Sequence, residues 1–208
     1  MKLKVCGMKY VENIKQVAEL KPDYLGFIFY EKSKRNFEGI IPEIPKSIKK
    51  VGVFVNEYLE IVVSLAEEYQ LSVLQLHGDE SPEYIEKLKE HLPKVEMMKV
   101  FGVKDTFDFD KLKPYEGKVD YFLFDTKGKE RGGNGVTFDW KLLEKYNSDT
   151  PYFLSGGIGL QEVDSVKEFM KTSHAKKCIA LDVNSRFETK PGDKSIKQLK
   201  KFITIVKK

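Results

Sequence analysis

The sequence predicts a closed (β/α)8 barrel, an α/β fold in which eight parallel strands form an inner ring and helices surround it. Three observations lead to this fold class. Eight short apolar runs alternate with polar amphipathic segments, as βα units do; polar motifs follow six of these runs; and 208 residues suit one small barrel. We therefore expect residues 1–208 to form a single barrel domain.

The apolar runs are rich in β-branched and aromatic residues, which favour strands. Most of them are apolar at successive positions, a pattern typical of parallel strands that are covered on both faces. The predicted strands are residues 3–6, 24–29, 50–55, 73–76, 96–101, 121–125, 152–155 and 178–183.

Six of the segments between the strands have helical spacing, at residues 11–20, 57–69, 82–91, 140–146, 161–170 and 195–206. Ser81 and Pro82 begin the third of them with a capping hydroxyl and a first-turn proline. The connections at 40–47 and 105–112 carry weaker signals, because the first contains two prolines and the second is short. We expect only helical stubs there.

The polar motifs distinguish a closed barrel from an open sheet. They follow the strands at their C-terminal ends, as CG at 6–7, FVN at 54–56, QLHG at 75–78, DT at 125–126, SGG at 155–157 and DVNS at 182–185. An open sheet concentrates its site at one switch point, whereas a closed ring gathers the loops of all its strands at one rim. Six contributing strands therefore favour the closed ring.

The composition excludes several classes of partner. The 36 basic and 32 acidic residues give a net charge of +4, and the lysines gather only in short groups at 49–50, 176–177 and 197–201. We interpret these groups as solvated surface, so we expect no nucleic-acid partner. No window approaches the roughly 18 apolar residues of a membrane span, and no signal-like segment precedes Cys6, so we expect a cytoplasmic protein that binds no membrane. Cys6 and Cys178 lack metal-ligand spacing, so we expect reduced thiols and no metal.

Nine short motifs run along nearly the whole chain: KVCG at 4–7, LGFIF at 25–29, SKR at 33–35, VGVFVN at 51–56, QLHGDE at 75–80, FDT at 124–126, GGNG at 132–135, FDW at 138–140 and LSGGI at 154–158. Each motif alone is unspecific. In their order and spacing they resemble the phosphoribosylanthranilate isomerase family of tryptophan biosynthesis. The resemblance implies an Amadori rearrangement of N-(5-phosphoribosyl)anthranilate to 1-(2-carboxyphenylamino)-1-deoxyribulose 5-phosphate.

The resemblance also implies the two catalytic residues, with Cys6 as the general base and Asp125 as the general acid. The Cys6 thiol must ionise, and we expect positive potential from the amides of the rim to favour the anion. The apolar run before Asp125 is expected to raise the pKa of its carboxyl and keep it protonated. From position alone, Cys6 fits a packed thiol equally well and Asp125 fits a cap of a loop amide. The substrate nitrogen is the electron sink, so no cofactor is implied.

Substrate contacts are implied for loops of the rim. Arg35 corresponds to the family's residue for the anthranilate carboxylate, where a planar guanidinium can bind both oxygens. Gly156, Gly157, Asn184 and Ser185 would offer backbone amides to the phosphate, at the part of the rim where barrels commonly bind one. The glycines could equally serve only to turn the chain.

Further motif positions carry open roles. Asp182 matches an acidic residue of the family's pocket wall, and Arg186 stands where the family usually has glycine, so it would either add charge at the phosphate or point away. Gln75 and His77 lie two residues apart on one predicted strand and would both face the pocket. A lone histidine is more often a structural hydrogen-bonding residue than a catalyst. The segment GGNG at 132–135 resembles the family's flexible loop over the substrate.

Two other functions fit the same barrel. One is another sugar-phosphate isomerase, such as the related histidine-pathway enzyme, which uses two aspartates; the cysteine at position 6 argues against it. The other is a non-catalytic barrel that binds a phosphorylated ligand, for which an acid and a base in one pocket would have no use. We expect a small phosphosugar as ligand and a monomer or homodimer as the assembly.

Overall fold

A computed structural model describes residues 1–126 and 138–206. Eight parallel strands pair in chain order, and β8 returns to pair with β1, which closes the barrel. This confirms the predicted fold class, and each predicted strand lies within two residues of an observed one. The strands are β1 Lys2–Val5, β2 Tyr24–Phe29, β3 Lys49–Phe54, β4 Val73–Leu76, β5 Glu96–Val103, β6 Tyr121–Thr126, β7 Tyr152–Leu154 and β8 Cys178–Val183.

Alternation along the strands separates two layers of side chains. On β1, Leu3 and Val5 point outward into the large apolar layer beneath the helices, so Lys4 points into the barrel. A second apolar cluster fills the interior, and it consists of Tyr24, Val51, Val73, Met98, Val100, Leu123, Phe153 and Ala180. The inward positions toward the C-terminal ends of the strands are polar, as the motifs predicted.

In the described part of the chain five α-helices lie outside the barrel: α1 Val11–Glu19, α2 Leu59–Glu68, α3 Pro82–His91, α4 Val163–Met170 and α5 Ile196–Val206. The predicted start of α3 is confirmed, since the Ser81 hydroxyl accepts a bond from the amide of Tyr84 at 3.3 Å and Pro82 occupies the first turn. No helix described here combines the length and apolar character that a membrane crossing requires.

Three predicted helical segments differ from the structure. The stretch 40–47 contains no helix, because Pro42 and Pro45 remove amide donors and restrict the residues before them. The predicted stub at 105–112 is a 3₁₀ helix, Phe109–Tyr115, that contains Pro114. The segment predicted at 140–146 is also a 3₁₀ helix, Trp140–Lys145, rather than an α-helix.

A hairpin after β8 has no counterpart in the predictions. A short 3₁₀ turn, Ser185–Phe187, leads into the antiparallel strands β9 Glu188–Lys190 and β10 Asp193–Lys194. Gly192 turns the chain between them with a φ of +86°, a conformation that favours glycine. The side chain of Asn13 on α1 bonds both backbone groups of Lys194, at 2.9 and 2.7 Å, and so fixes the hairpin against the barrel.

Candidate active site

A single pocket at the C-terminal rim of the barrel contains every residue that the sequence assigned to the site. Strands β1, β2, β4, β6, β7 and β8 or the loops after them supply these side chains and glycines. They are Cys6, Arg35, Gln75, His77, Asp125, Gly156, Gly157, Asp182, Asn184 and Ser185. The ends of the first and sixth strands therefore face one shared cavity, as predicted.

Cys6 directly follows β1, and its amide continues the sheet through a 2.9 Å bond to the carbonyl of Val183. Its side chain lies on the inner face, two positions beyond Lys4. A Cβ at Gly26 would lie 2.8 Å from the Sγ of Cys6, so a larger residue on the neighbouring strand would displace the thiol. Gly26 therefore makes room for the thiol at the pocket floor.

Burial and neighbouring charged side chains act on the pKa of Cys6. Burial raises the pKa of the Cys6 thiol, Lys4 and Lys194 beside it lower that pKa, and Asp182 raises it. Desolvation outweighs the two cations, so the pKa of the thiol lies above its ordinary value. That amides of the rim favour the anion stays a prediction. The groups that oppose the effect of burial are two buried ammonium groups, those of Lys4 and Lys194.

Asp125 ends the inner face of β6 and is 8% exposed. Burial, together with the negative charge of Asp182, raises the pKa of its carboxyl from 3.8 to about 6, while bonds from the Thr126 amide and the Ser155 hydroxyl oppose the rise. The amide of Thr126 donates to Oδ1 at 3.0 Å. The prediction that the surroundings of Asp125 raise its pKa is confirmed.

An ion pair inside the barrel, between Lys4 and Asp182, lies near both Cys6 and Asp125. The Nζ of Lys4 lies 2.9 Å from Oδ1 of Asp182, and both side chains are buried. The Ser155 hydroxyl donates to the other oxygen of Asp182 at 3.3 Å. Burial alone would lower the pKa of Lys4, but Asp182 and Cys6 raise it above its ordinary value. Lys4 therefore stays a cation directly beneath the thiol.

Gln75 and His77 face the pocket from β4 and the loop that follows it. The Nε2 of Gln75 lies 3.3 Å from Nδ1 of His77, and the Nε2 of His77 lies 3.7 Å from Oδ2 of Asp125. An amide donor at Nδ1 is consistent with a proton on Nε2, the nitrogen that faces Asp125. His77 therefore borders the carboxyl, in agreement with the predicted placement.

The Arg35 guanidinium lines the pocket with one edge already engaged. Its Nε and Nη2 donate to both oxygens of Glu188, at 2.8, 3.1 and 2.7 Å. Glu188 is the first residue of β9 and also accepts from Nζ of Lys194 at 2.8 Å. A substrate carboxylate could therefore bind only the Nη1 side of the guanidinium.

The loops after β7 and β8 form the remaining wall. Gly156 and Gly157 have φ of +93° and +66°, and a Cβ at Gly156 would overlap Thr126. Both the backbone conformation and the available space thus require glycine at position 156. The fold therefore explains this glycine of the SGG motif whether or not it contacts a ligand.

The comparisons with known proteins agree with this geometry. The family model described as N-(5'-phosphoribosyl)anthranilate (PRA) isomerase matches residues 3–205. The N-(5'-phosphoribosyl)anthranilate isomerase of Parabacteroides distasonis is 44% identical over 209 residues, which cover 98% of this chain and 92% of the relative. This chain belongs to the N-(5'-phosphoribosyl)anthranilate isomerase family. The resemblance found in the sequence is confirmed.

Solved structures of the isomerase family have the same fold. The phosphoribosyl anthranilate isomerase of Thermotoga maritima superposes with a TM-score of 0.83 at 33% identity, over 100% of this chain and 98% of that one. A second isomerase structure, in complex with reduced 1-(o-carboxyphenylamino)-1-deoxyribulose 5-phosphate, gives a TM-score of 0.80 at 32% identity, with the same coverage. A third, at 30% identity with a TM-score of 0.76, contains monomers generated from the dimeric isomerase of Thermotoga maritima, again with 100% and 98% coverage.

Arg186, where the isomerase family usually has glycine, causes no strain in the backbone. Among the described non-glycine residues, positive φ occurs at Lys21, Asn56 and Gln70, so Arg186 does not need the conformation that favours glycine. Its side chain lines the pocket, and its Cβ would lie 2.9 Å from a Cβ at Gly159. The predicted loop GGNG at 132–135 lies outside the described residues.

The sequence analysis missed several residues of this isomerase site. Lys4 and Ser155 lie inside quoted motifs, and strand alternation from Cys6 and Phe153 could have placed both on the inner face. Gly26 interrupts an otherwise bulky strand, which signals a close approach. Glu188 and Lys194 gave no usable signal, because their hairpin is too short and polar to produce a strand pattern.

Proposed function

We propose that this chain converts N-(5-phosphoribosyl)anthranilate to 1-(2-carboxyphenylamino)-1-deoxyribulose 5-phosphate, with Asp125 as the general acid and Cys6 as the general base. The observation that carries the proposal is that these two side chains, from β6 and β1, line one pocket of a chain that matches the isomerase family along nearly its whole length. The acid and the base can thus act on the same ribose.

In the first step Asp125 transfers its proton to the ring oxygen of the aminoaldose. The bond between C1 and that oxygen breaks, and the lone pair of the anilino nitrogen forms a C1=N iminium. The raised pKa of Asp125, about 6, keeps a usable fraction of the carboxyl protonated near neutral pH. The ring is then open and C2 is acidified by the iminium.

In the second step the Cys6 thiolate removes the proton from C2. The electrons of that C–H bond form a C1=C2 double bond and neutralise the iminium, which gives an enolamine. Ketonisation adds a proton to C1 and removes one from the C2 hydroxyl, so substrate and enzyme regain the protons with which they began. Because nitrogen accepts and returns the electron pair, the reaction needs no cofactor.

Substrate binding divides between two sides of the pocket. We assign the anthranilate carboxylate to the Nη1 side of Arg35, whose other edge is bound to Glu188. The phosphate is assigned to the loops after β7 and β8, where Gly156, Gly157 and Ser185 offer backbone amides. Arg186 lines the same end of the pocket and adds a positive charge there. Gln75, Asp182 and Asn184 complete the wall.

The ligand class, the oligomeric state and the cellular location of the protein are proposed from its relatives. A phosphorylated sugar is the expected ligand, since an isomerase of the same fold is known in complex with a reduced phosphosugar product. We propose a monomer or homodimer, because the Thermotoga maritima relative is described as dimeric. A cytoplasmic location follows from the expected place of the reaction in biosynthesis.

Turnover of freshly prepared phosphoribosylanthranilate tests the function, with loss of the fluorescence of the substrate as the readout. We expect the wild type to turn over and Cys6→Ala and Asp125→Asn to lose about 100- to 10,000-fold in kcat. Cys178→Ala is the matched control, because it removes the other buried thiol. Wild-type rates in both site variants, with the substrate consumed, would refute the assigned roles.

A further inference from the structure

We propose that Lys194 and Glu188 of the β9–β10 hairpin are positioning residues, which together favour the thiolate form of Cys6 and hold Arg35 in the pocket. The inference rests on the proposed function, in which Cys6 is the base. Neither residue lies in a motif of the sequence analysis. Their geometry, the charges around the thiol and the fastening of the hairpin each support it.

Lys194 is a buried ammonium with defined partners. Its side chain is 0% exposed, and its Nζ donates to Oε1 of Glu188 at 2.8 Å and to Oδ1 of Asn184 at 2.6 Å. Burying an ammonium costs free energy unless it is paired, so a site that keeps one invites a functional explanation. The two bonds to Asn13 fix the backbone of Lys194 and leave the ammonium little freedom.

The same partners converge on the residue next to Cys6. A Cβ at Gly7 would lie 2.7 Å from Oδ1 of Asn184 and 2.8 Å from Cδ of Arg35. Gly7 has a φ of +74°, so the backbone after Cys6 passes closely beneath both side chains. Asn184, which accepts from Lys194, and Arg35, which donates to Glu188, thus lie against the backbone that directly follows Cys6.

The charges around the thiol leave one cation without an anion. Over residues 1–126 and 138–206, three cations act on Cys6 and two carboxylates pair with them, so these five groups sum to +1. The cations are Lys4 from β1, Arg35 from the loop after β2 and Lys194 from β10, and the carboxylates are Asp182 from β8 and Glu188 from β9. Asp125, His77 and Arg186 line the same pocket from β6, from the loop after β4 and from the loop after β8, and they are not part of this sum. A thiolate at Cys6 brings the sum to zero.

Glu188 limits this positive charge and orients Arg35. It accepts from Arg35, from Lys194 and from the amide of Gly192 at 3.0 Å. Without its carboxylate the two cations would act on Cys6 in full, and the guanidinium could turn. Loss of Glu188 should therefore increase the thiolate fraction of Cys6, and loss of Lys194 should decrease it. A merely structural role of the hairpin would not produce opposite effects.

The rate at which iodoacetamide alkylates Cys6 at pH 8, read by peptide mass spectrometry, tests the inference without turnover. Lys194→Met should slow alkylation about threefold, because about tenfold less thiolate is partly offset by its greater nucleophilicity. Glu188→Gln should accelerate it about threefold by the same reasoning. Lys194→Arg keeps the charge and should stay nearest to the wild type. Lys190→Met, on the exposed part of the hairpin, is the control that should change nothing.

The outcomes separate this inference from the proposed function. Shifts of equal sign in Lys194→Met and Glu188→Gln, or none in either, would overturn it, since a loosened hairpin would accelerate both variants. If the alkylation rates move as expected but kcat does not follow them, the charge inference stands and Cys6 is not the base. Should Lys194→Met fail to fold, the nearly isosteric Glu188→Gln still decides the question by the sign of its effect.

Discussion

The two cysteines of this protein lie at opposite ends of the same barrel. Cys6 follows β1 at the C-terminal rim and faces the interior, whereas Cys178 begins β8 at the other end and packs in the apolar layer beneath the helices. Both are free and buried, and burial raises the pKa of both thiols, that of Cys178 to about 12. Two buried lysine side chains, Lys4 and Lys194, lower the pKa of Cys6, whereas the cation that acts on Cys178 is the N-terminal ammonium. Burial disfavours the thiolate at both positions, and the two lysines beside Cys6 oppose that effect there.

Replacing each cysteine with serine tests this difference between the two thiols and should give the largest effect. Cys6→Ser keeps the size of the side chain but replaces the thiol with a hydroxyl that does not ionise usefully, so kcat should fall about 1,000-fold. Cys178→Ser should leave kcat unchanged and cost about 1 kcal/mol of unfolding free energy, because it buries a hydroxyl in an apolar layer. Steady-state kinetics and urea unfolding measure the two effects, and a loss of kcat in Cys178→Ser would contradict the contrast.

The buried carboxylate of Asp125 should lower the free energy of unfolding when it is ionised. Its folded pKa, about 6, lies above the ordinary 3.8, so the carboxyl favours folding below about pH 4 and loses that contribution as the pH rises through 6. Replacing it with an uncharged amide should raise the unfolding free energy by roughly 3 kcal/mol at pH 8, which is the pKa difference converted to energy. Urea unfolding of Asp125→Asn should show little gain at pH 4. An equal gain at both pH values would rule out ionisation as the cause.

The pH dependence of kcat/KM should reflect the ionisation of both Asp125 and Cys6. The productive state has a protonated Asp125 and an ionised Cys6, although the pKa of the acid lies below that of the base. Below about pH 6 each unit of acidity should lower kcat/KM about tenfold, because thiolate is lost while the carboxyl is already protonated. Between there and the raised pKa of Cys6 the profile should be flat. An acidic limb near 4 would place the pKa of Asp125 at its ordinary value.

Sequence reasoning recovered the barrel more completely than the charges of the site. Strand order, the eight strands and the shared pocket follow from periodicity and from motifs at strand ends, because these patterns are local. Lys4 could have been found by counting two residues back from Cys6. Glu188 and Lys194 could not, because their contacts with Arg35 and Asn184 join segments far apart in the chain. The raised pKa of Cys6 could not be predicted either, because burial is a property of the folded chain.

The ion pairs at the two ends of the barrel extend the comparison, and the smallest expected effect is that of breaking the pair at the N-terminal end. At the N-terminal end Glu96 accepts from Lys49 at 2.7 Å and from the hydroxyl of Tyr121 at 2.9 Å, but its pair with Lys49 is partly exposed, at 29% and 41%. Such pairs contribute up to about 1 kcal/mol, so Glu96→Gln should cost less than that in urea unfolding and leave kcat unchanged. Breaking the fully buried pair at the rim with Asp182→Asn should cost about 3 kcal/mol, because it leaves Lys4 uncompensated. Equal losses in the two variants would mean that burial does not set the difference between the ends.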